Sequence, residues 1–174
     1  MTYRNDSLPI DSAPVESTSV ALQVEGTTRT ALLGYAVTVG GLVLALWICF
    51  GRFLFGIGGS LTPIYVVTLG FLIATLHFFA GRAIVRTARL GRRTRPATIA
   101  MICLAWFTGI LLGLTIPDLT AAGPQTILSG ATEPGLGIAI GLANPLGIIC
   151  IATSIVALVL AHGDLKDRLK NEDD

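Results

Sequence analysis

Four apolar runs, each about as long as a bilayer is thick, constrain this chain more than any other feature. They cover residues 31–50, 62–84, 98–116 and 136–162. A helix needs about 20 apolar residues to cross roughly 30 Å of hydrocarbon. The bilayer core offers no water to backbone N–H and C=O groups, so such spans form helices or closed barrels. Continuous apolarity without period-two alternation excludes the barrel, so we predict an all-α integral membrane protein, a bundle of four transmembrane helices.

The composition agrees with a membrane protein, because 52% of the residues are hydrophobic and only 13% are charged. Soluble domains carry about 25% charged residues. The first run is too long for a signal-peptide core and no A-x-A-like cleavage site follows it, so we expect an uncleaved span. Residues 1–29 are rich in Ser, Thr, Pro and Asp, which predicts a disordered tail. Residues 30–163 then form the transmembrane domain, and residues 164–174 form a charged, solvated tail.

The distribution of basic residues predicts the orientation of the bundle. With four spans, both termini and the loop between the second and third spans lie on one side of the membrane. Of the 12 Lys and Arg residues, all except Arg52 fall on that side. Cytoplasmic loops carry an excess of Lys and Arg, so we predict cytoplasmic termini and a bacterial plasma membrane. On the opposite side, Asp118 and Glu133 lie in a loop without a cation, and we expect it to be solvated.

Six arginines cluster around the loop after the second span. They are Arg82, Arg86, Arg89, Arg92, Arg93 and Arg95. Arg82, Arg86, Arg89 and Arg93 step by four, three and four residues, so a helix that continues the second span places them on one face. Such a stripe meets anionic lipid headgroups and anchors the orientation, with about 1 kcal/mol per residue. Nucleic-acid binding is the alternative, but no aromatic residue lies within this stretch to stack on bases, and we predict no nucleic-acid partner.

Groups that carry chemistry are nearly absent from the spans. Ionisable residues inside a bilayer are costly and mark functional positions. His77 lies in the second span, and His162 ends the fourth span at a similar depth. A haem site or a proton relay between these histidines is the alternative, but no carboxylate is placed to orient either ring. The three cysteines lie far apart in apolar runs, so we predict no cofactor, no metal site and no enzymatic activity.

Small residues recur at the four-residue spacing that lets transmembrane helices approach closely. Gly109 and Gly113 have this spacing in the third span, and Gly137 and Gly141 have it in the fourth. Because the two spans run antiparallel, Gly109 falls at the depth of Gly141, and Gly113 falls near Gly137. We predict that these glycines are helix-packing residues and that the two pairs form a close contact.

An Asn-Pro pair interrupts the fourth span at Asn144 and Pro145. Proline has no N–H to donate to the carbonyl four residues earlier, here that of Gly141, so we predict a kinked fourth helix. An unpaired amide is costly in hydrocarbon. We therefore expect Asn144 to point into the bundle and to join the broken turn to another span. The break serves either the structure or a function, and the sequence leaves both open.

Two functions fit these residues. The spans lack catalytic and ion-binding groups but contain several helix-packing residues, which favours a non-enzymatic accessory or scaffold subunit. Its partners are then other membrane protein subunits, or further copies of itself, in a bilayer with anionic headgroups. The alternative is a small oligomeric channel or carrier, with a path lined by Asn144, Thr153, Ser154 and His77.

Overall fold

The four predicted spans are present as helices. A computed structural model describes the backbone of residues 14–166 and the side chains of residues 27–166. Within these residues, four helices are long and apolar enough to cross a membrane. They are α1 (Pro14–Phe50), α2 (Thr62–Arg89), α3 (Pro96–Thr115) and α4 (Gly135–Lys166). This confirms a mostly helical, multi-pass membrane protein.

The helices form a ring in which each one packs against two neighbours. Helix α1 packs against α2 and α3, and α4 closes the ring by packing against the same two helices. The core has two halves along the bundle. One half buries Leu44, Ile48, Ile73, Leu112 and Cys150. The other half buries Val37, Ile84, Ile102, Ala157 and Ala161.

Local sequence signals set the bounds of α2 and α3. Helix α3 begins at Pro96, whose missing N–H costs nothing in a first turn. Arg95 before it is extended, as residues before proline are, with a ψ of 146°. Helix α2 ends at Arg89, and Gly91 adopts a φ of 72°. The N–H of Gly91 donates to the Ala88 carbonyl and terminates α2 in the usual glycine-containing turn.

Helix α2 contains a π-helical segment at Val66–Gly70, between α-helical segments at Thr62–Tyr65 and Phe71–Arg89. The Thr68 hydroxyl donates to the Ile64 carbonyl at 2.7 Å, and this bond competes with the regular backbone ladder. Gly70 lies against α1, because a Cβ there would be 2.5 Å from Cys49 Sγ. Insertions of this type often occur near functional sites in helices.

The segments between the helices are folded at one end of the bundle. A 3-10 helix at Gly51–Phe55 follows α1. Strands β1 (Asp118–Thr120) and β2 (Gly123–Gln125) form an antiparallel hairpin after α3. We call this end, formed by residues 51–61 and 116–134, the hairpin end. We call the opposite end, formed by residues 90–95 and the end of α4, the arginine end.

Helices α1 and α4 extend into the predicted tails. Helix α1 begins at Pro14, so part of the predicted disordered segment is helical. Once a transmembrane helix is formed, each added residue gains a hydrogen bond without a new nucleation cost. Residues 1–13 and 167–174 lie outside the described residues. Helix α4 continues to Lys166 and carries Pro145 inside it, and the kink at this residue stays a prediction.

Candidate functional site

An ion pair between Arg52 and Asp118 lies buried at the hairpin end. Nη1 of Arg52 is 3.1 Å from Oδ2 of Asp118, and the two side chains are 2% and 0% exposed. The loop that carries Asp118 was expected to be solvated. This expectation is wrong for Asp118 itself, while Leu119, Pro124 and Glu133 of the same loop are exposed. The loop folds back over the bundle and brings the carboxylate to the one cation on this side of the membrane.

The Asp118 carboxylate also accepts four hydrogen bonds from the protein. The donors, at 2.8–3.0 Å, are the N–H groups of Gly59, Leu61 and Leu119 and the hydroxyl of Thr62. Burial by itself would raise the pKa of Asp118, but the hydrogen bonds from Leu61, Gly59, Leu119 and Thr62 outweigh it and hold the pKa below its usual value. The carboxylate is therefore charged at neutral pH.

Arg52 connects three helices through its remaining contacts. Nη2 donates to the Ile48 carbonyl at 3.0 Å, and Nη1 donates to the Pro117 carbonyl at 3.2 Å. The guanidinium lies 4.5 Å from the ring centroid of Tyr65, and the Tyr65 hydroxyl donates to the Pro117 carbonyl. Buried this deeply, the ion pair stabilises the bundle and does not offer a surface to a soluble ligand.

The six arginines separate into two groups, because α2 ends at Arg89. Arg82, Arg86 and Arg89 are exposed on one face of α2, as predicted. Arg93 does not join this face, because the turn at Gly91 redirects the chain. The prediction of a four-residue stripe is therefore wrong for Arg93, and the stripe has three members.

The second group consists of Arg92, Arg93 and Arg95, which lie around Asp164. Asp164 is a residue of α4 and is 5% exposed. Its Oδ2 accepts hydrogen bonds from the Thr98 hydroxyl at 2.9 Å and the Arg95 N–H at 3.2 Å. Nε of Arg95 lies 3.3 Å from Oδ1, and Nη1 of Arg92 donates to the Asp164 carbonyl. The predicted solvated tail is thus wrong at this position. The carboxylate thus joins the start of α3 and the turn before it to α4.

A groove lies between α1 and α2 on the face that carries the first arginine group. This cavity of about 350 Å³ is lined by Tyr35, Phe78, Val85, Arg82, Arg86 and Arg89, together with Thr38. We call it the arginine groove. No carboxylate among the described residues forms an ion pair with its three arginines.

The floor of the arginine groove is a close approach of α1 and α2. A Cβ on Gly34 would lie 2.8 Å from the Gly81 carbonyl oxygen and 2.9 Å from the Val85 nitrogen. A Cβ on Gly81 would lie 2.5 Å from the Gly34 carbonyl oxygen. Since these neighbours are backbone atoms, no side-chain movement can relieve the crowding.

The glycine contact predicted between α3 and α4 is not formed, and this prediction is wrong. Gly109 and Gly113 are packing residues, but they do not meet the glycines of α4. A Cβ on Gly109 would lie 2.8 Å from Leu44 of α1 and 3.2 Å from Cys150 Sγ of α4, and one on Gly113 would meet Trp47 of α1. A Cβ on Gly141 would have no neighbour within 4 Å. Gly137 lies next to Glu133, whose Oε2 accepts its N–H at 3.2 Å. Spacing alone did not reveal which neighbouring helix the glycines face.

His77 is buried, with 1% of its surface exposed. Its Nδ1 donates to the Ile73 carbonyl at 2.9 Å, and Nε2 is buried without a hydrogen-bond partner. His162 is exposed, and its Nδ1 lies 3.0 Å from the Leu158 carbonyl oxygen. Among the described residues, no group of three or more His, Cys, Asp or Glu side chains is placed to hold a metal ion.

The hydroxyls proposed to line a path are bonded within their own helix. Thr153 donates to the Ile149 carbonyl at 2.7 Å, and Ser154 donates to the Cys150 carbonyl at 2.7 Å. Both side chains are buried, at 9% and 2% exposure. Hydroxyls bonded in this way offer little to a passing solute.

Asn144 lies on the surface of the bundle, so the prediction that it points inwards is wrong. It lines a cavity of about 390 Å³ that we call the Asn144 groove, between α2 and α4 with α3 beneath. Its lining includes Tyr65, Leu69, Leu112, Ala143, Asn144 and Gly147. No hydrogen bond of the Asn144 side chain occurs within the part of the chain that the structure describes. The face of α4 that carries Gly141, Asn144 and Ile148 is therefore directed away from the bundle interior.

Comparisons with protein-family models, with curated proteins and with solved structures found no match for this chain. The class of the protein therefore follows from its helices, which are those of a multi-pass membrane protein.

The sequence analysis missed the pairing of Arg52 with Asp118 and the burial of Asp164. A signal for the first pair was available. Arg52 and Asp118 each lie just beyond the end of a span, on the same side of the membrane, in otherwise apolar surroundings. Two opposite charges in that position avoid a desolvation cost by pairing.

Proposed function

We propose that this protein is a non-enzymatic accessory or scaffold subunit that binds a transmembrane helix of another membrane protein in the Asn144 groove. The observation that carries the proposal is the exposed Asn144 side chain, which has no hydrogen bond among the described residues. Asn144 lies about two and a half turns inside α4, which begins at Gly135, and this depth is within the hydrocarbon.

An amide at that depth favours a protein partner over lipid. The side chain has two N–H donors and one carbonyl acceptor, and acyl chains satisfy none of them. Interhelical polar bonds in membranes contribute about 0.6 kcal/mol on average and up to roughly 1.7 kcal/mol. Pro145 cannot donate to the Gly141 carbonyl, which leaves a second acceptor one turn away. A partner helix with an Asn, Gln, Ser or Thr side chain fits this pattern.

The shape of the groove also suits a helix. Ala143 and Gly147 flank Asn144 and are four residues apart, the spacing of close helix contacts. Gly141 leaves open space beside them. Exposed apolar side chains continue along the same helix, including Ile140 and Ile148 at 37% and 69% exposure. A docked helix would shield this surface from lipid and supply the missing hydrogen bonds.

Site-directed crosslinking in native membranes tests the proposal. A photoreactive residue at Ile148, beside Asn144 in the groove, should crosslink to one membrane protein in a defined ratio. The same residue at Val159, which is 64% exposed on α4 but outside the groove, is the matched control and should not give this product. Asn144→Leu should abolish the Ile148 product without lowering the Tm in detergent, because the amide has no hydrogen bond to another described residue to lose. Asn144→Gln keeps an amide group, so this variant should still give part of the Ile148 crosslinked product.

Two results would overturn the proposal. The first is an Ile148 crosslink that Asn144→Leu leaves unchanged. The second is a protein that purifies alone as a symmetric oligomer and supports solute flux in liposomes, which is the behaviour of the channel or carrier alternative.

We also propose that the arginine end faces the cytoplasm and that the membrane is the plasma membrane. All Lys and Arg residues except Arg52 lie at the arginine end or in the terminal segments on the same side. Arg52 is neutralised by Asp118 in a buried pair, so the hairpin end presents no free cation among the described residues. Both features follow the positive-inside rule.

Thiol labelling of intact cells tests this orientation. Gln125→Cys, in β2 at the hairpin end, should react with an impermeant maleimide before the cells are opened. Leu90→Cys, in the exposed turn at the arginine end, should react only after permeabilisation. The unmodified chain is the control for its own three cysteines. Labelling of Leu90→Cys in intact cells would reverse the orientation.

A further inference from the structure

We infer that the arginine groove binds one anionic phospholipid as a defined site, rather than meeting headgroups as a diffuse positive surface. The three arginines, Arg82, Arg86 and Arg89, line one cavity of about 350 Å³ together with Tyr35, Phe78 and Val85. This site is separate from the Asn144 groove, and the inference does not depend on the proposed function.

The depth of the groove matches the level of lipid phosphate. Arg82 is 20 residues after Thr62, the first residue of α2. At 1.5 Å per residue this is about 30 Å, the thickness of the hydrocarbon core. Arg86 and Arg89 extend the row by about 10 Å more, through the headgroup layer. A phosphodiester at the end of the hydrocarbon therefore falls beside Arg82 and Arg86.

The groove arginines form no ion pair with another described residue. Among the described residues, the carboxylates of Asp118 and Asp164 form ion pairs with Arg52 and Arg95. The groove arginines are all exposed and have no such pair. Guanidinium groups form paired hydrogen bonds with phosphate oxygens, and their weak hydration lowers the cost of that contact.

The remaining walls suit the other parts of a lipid. Tyr35 and Phe78 are 57% and 46% exposed, one on each helix, at the boundary between the arginines and the apolar spans. Aromatic side chains at this level contact the glycerol and the first acyl carbons, and the Tyr35 hydroxyl adds a donor for the headgroup. The floor is rigid, because Gly34 and Gly81 bring the α1 and α2 backbones into contact. Basic pockets between transmembrane helices bind anionic headgroups in this manner.

The experiment measures binding of a fluorescent phosphatidylglycerol to the delipidated full-length protein in nanodiscs of phosphatidylcholine. We expect saturable binding of about one lipid per chain. Arg82→Gln combined with Arg86→Gln should weaken it at least about tenfold, because both contribute directly to the phosphate contact. The double variant should keep its Tm, since both side chains are exposed and unpaired.

The matched control is Arg93→Gln combined with Arg92→Gln. This change removes the same charge from the arginine end, but neither residue lines the groove. It should leave lipid affinity within about twofold of the wild type. Equal loss in both double variants would show diffuse charge attraction and overturn the inference, as would full affinity in Arg82→Gln/Arg86→Gln.

A competition arm separates the lipid from free phosphate. Millimolar inorganic phosphate should not displace the fluorescent lipid, because it lacks the acyl chains that contact Phe78 and Tyr35. Unlabelled phosphatidylglycerol should displace it fully, and phosphatidylcholine should not. Displacement by inorganic phosphate alone would show a site for a soluble anion and overturn the assignment to a lipid.

Discussion

Asp118→Ala should lower the Tm of the detergent-solubilised protein by an amount on the order of 10 °C, more than Arg52→Met does. Removing one partner of a buried ion pair costs about 3–5 kcal/mol, since the other charge stays buried. For Asp118→Ala the loss of stability should exceed that from the broken ion pair alone. The carboxylate accepts four other hydrogen bonds, and its removal leaves the N–H groups of Gly59, Leu61 and Leu119 and the Thr62 hydroxyl without their acceptor.

Arg52→Met is the informative comparison, because it removes the cation and leaves the carboxylate with all four donors. The long apolar side chain of methionine also fills much of the same space. The order of stability should be wild type, Arg52→Met and then Asp118→Ala, measured as Tm in one detergent. Glu133→Ala is the control in the same part of the chain and should change Tm little. Glu133 is exposed and accepts one bond, from Gly137. A Tm for Asp118→Ala at or above that of Arg52→Met would contradict the role assigned to the carboxylate.

The Asp118 carboxylate also makes the stability of the folded protein depend on pH, and the stability should fall in acid. The pKa of Asp118 is lower in the folded state than its ordinary value of 3.8. The stability it contributes is therefore fully present above that ordinary value, and it is lost as pH falls through the lower folded-state pKa. Wild-type stability should decline below about pH 4, and Asp118→Asn should lack this component of the decline.

Gly81→Ala should destabilise the bundle by about 1–3 kcal/mol, while Gly141→Ala should not destabilise it. A methyl group on Gly81 would lie 2.5 Å from the Gly34 carbonyl oxygen, so α1 and α2 must separate to admit it. A methyl group on Gly141 meets nothing within 4 Å. There the alanine restricts the unfolded chain and favours the helix by up to about 1 kcal/mol.

The two variants are matched in chemistry and both lie inside transmembrane helices, so the difference between their Tm values isolates the helix contact. Gly34→Ala tests the other side of the contact, where a Cβ would lie 2.8 Å from the Gly81 carbonyl oxygen, and should behave like Gly81→Ala. Equal Tm values for Gly81→Ala and Gly141→Ala would show that α1 and α2 do not pack through these glycines.

The number of the helices and their apolar cores could be predicted from the sequence, because hydrocarbon imposes a simple rule on each span separately. Their full extent could not, since α1 begins at Pro14, well before the predicted residue 31. A run of about 20 apolar residues must close its own backbone hydrogen bonds, whatever its neighbours are. The bounds near Pro96 were also predictable, because proline acts within one turn. The position of Arg93 could not be predicted. Its assignment to the arginine stripe assumed a continuous helix, and the turn at Gly91 interrupts that helix.

The direction in which each helix face points could not be predicted in the same way. Gly109 and Gly141 both have small-residue spacing, yet Gly109 lies between Leu44 of α1 and Cys150 of α4, while Gly141 faces open space. In a soluble protein an apolar stripe identifies the buried face, but a transmembrane helix is apolar on all sides. Without an apolar stripe to mark the buried face of α4, Asn144 was predicted to lie in the interior. It lies on the surface of the bundle instead.

The sequence alone determined that this chain has four segments long and apolar enough to cross a membrane as helices, because span formation depends on local hydrophobicity. Only the tertiary structure decided which polar groups meet. Arg52 and Asp118 are 66 residues apart, and Arg95 and Asp164 are 69 residues apart, yet each pair is in contact. Their pairing depends on the rotation of each helix about its axis and on the fold of the connecting loops. Lipid contacts nearly every apolar face equally well, so these rotations are set by close backbone approaches such as Gly34 with Gly81 and by buried charges that need partners.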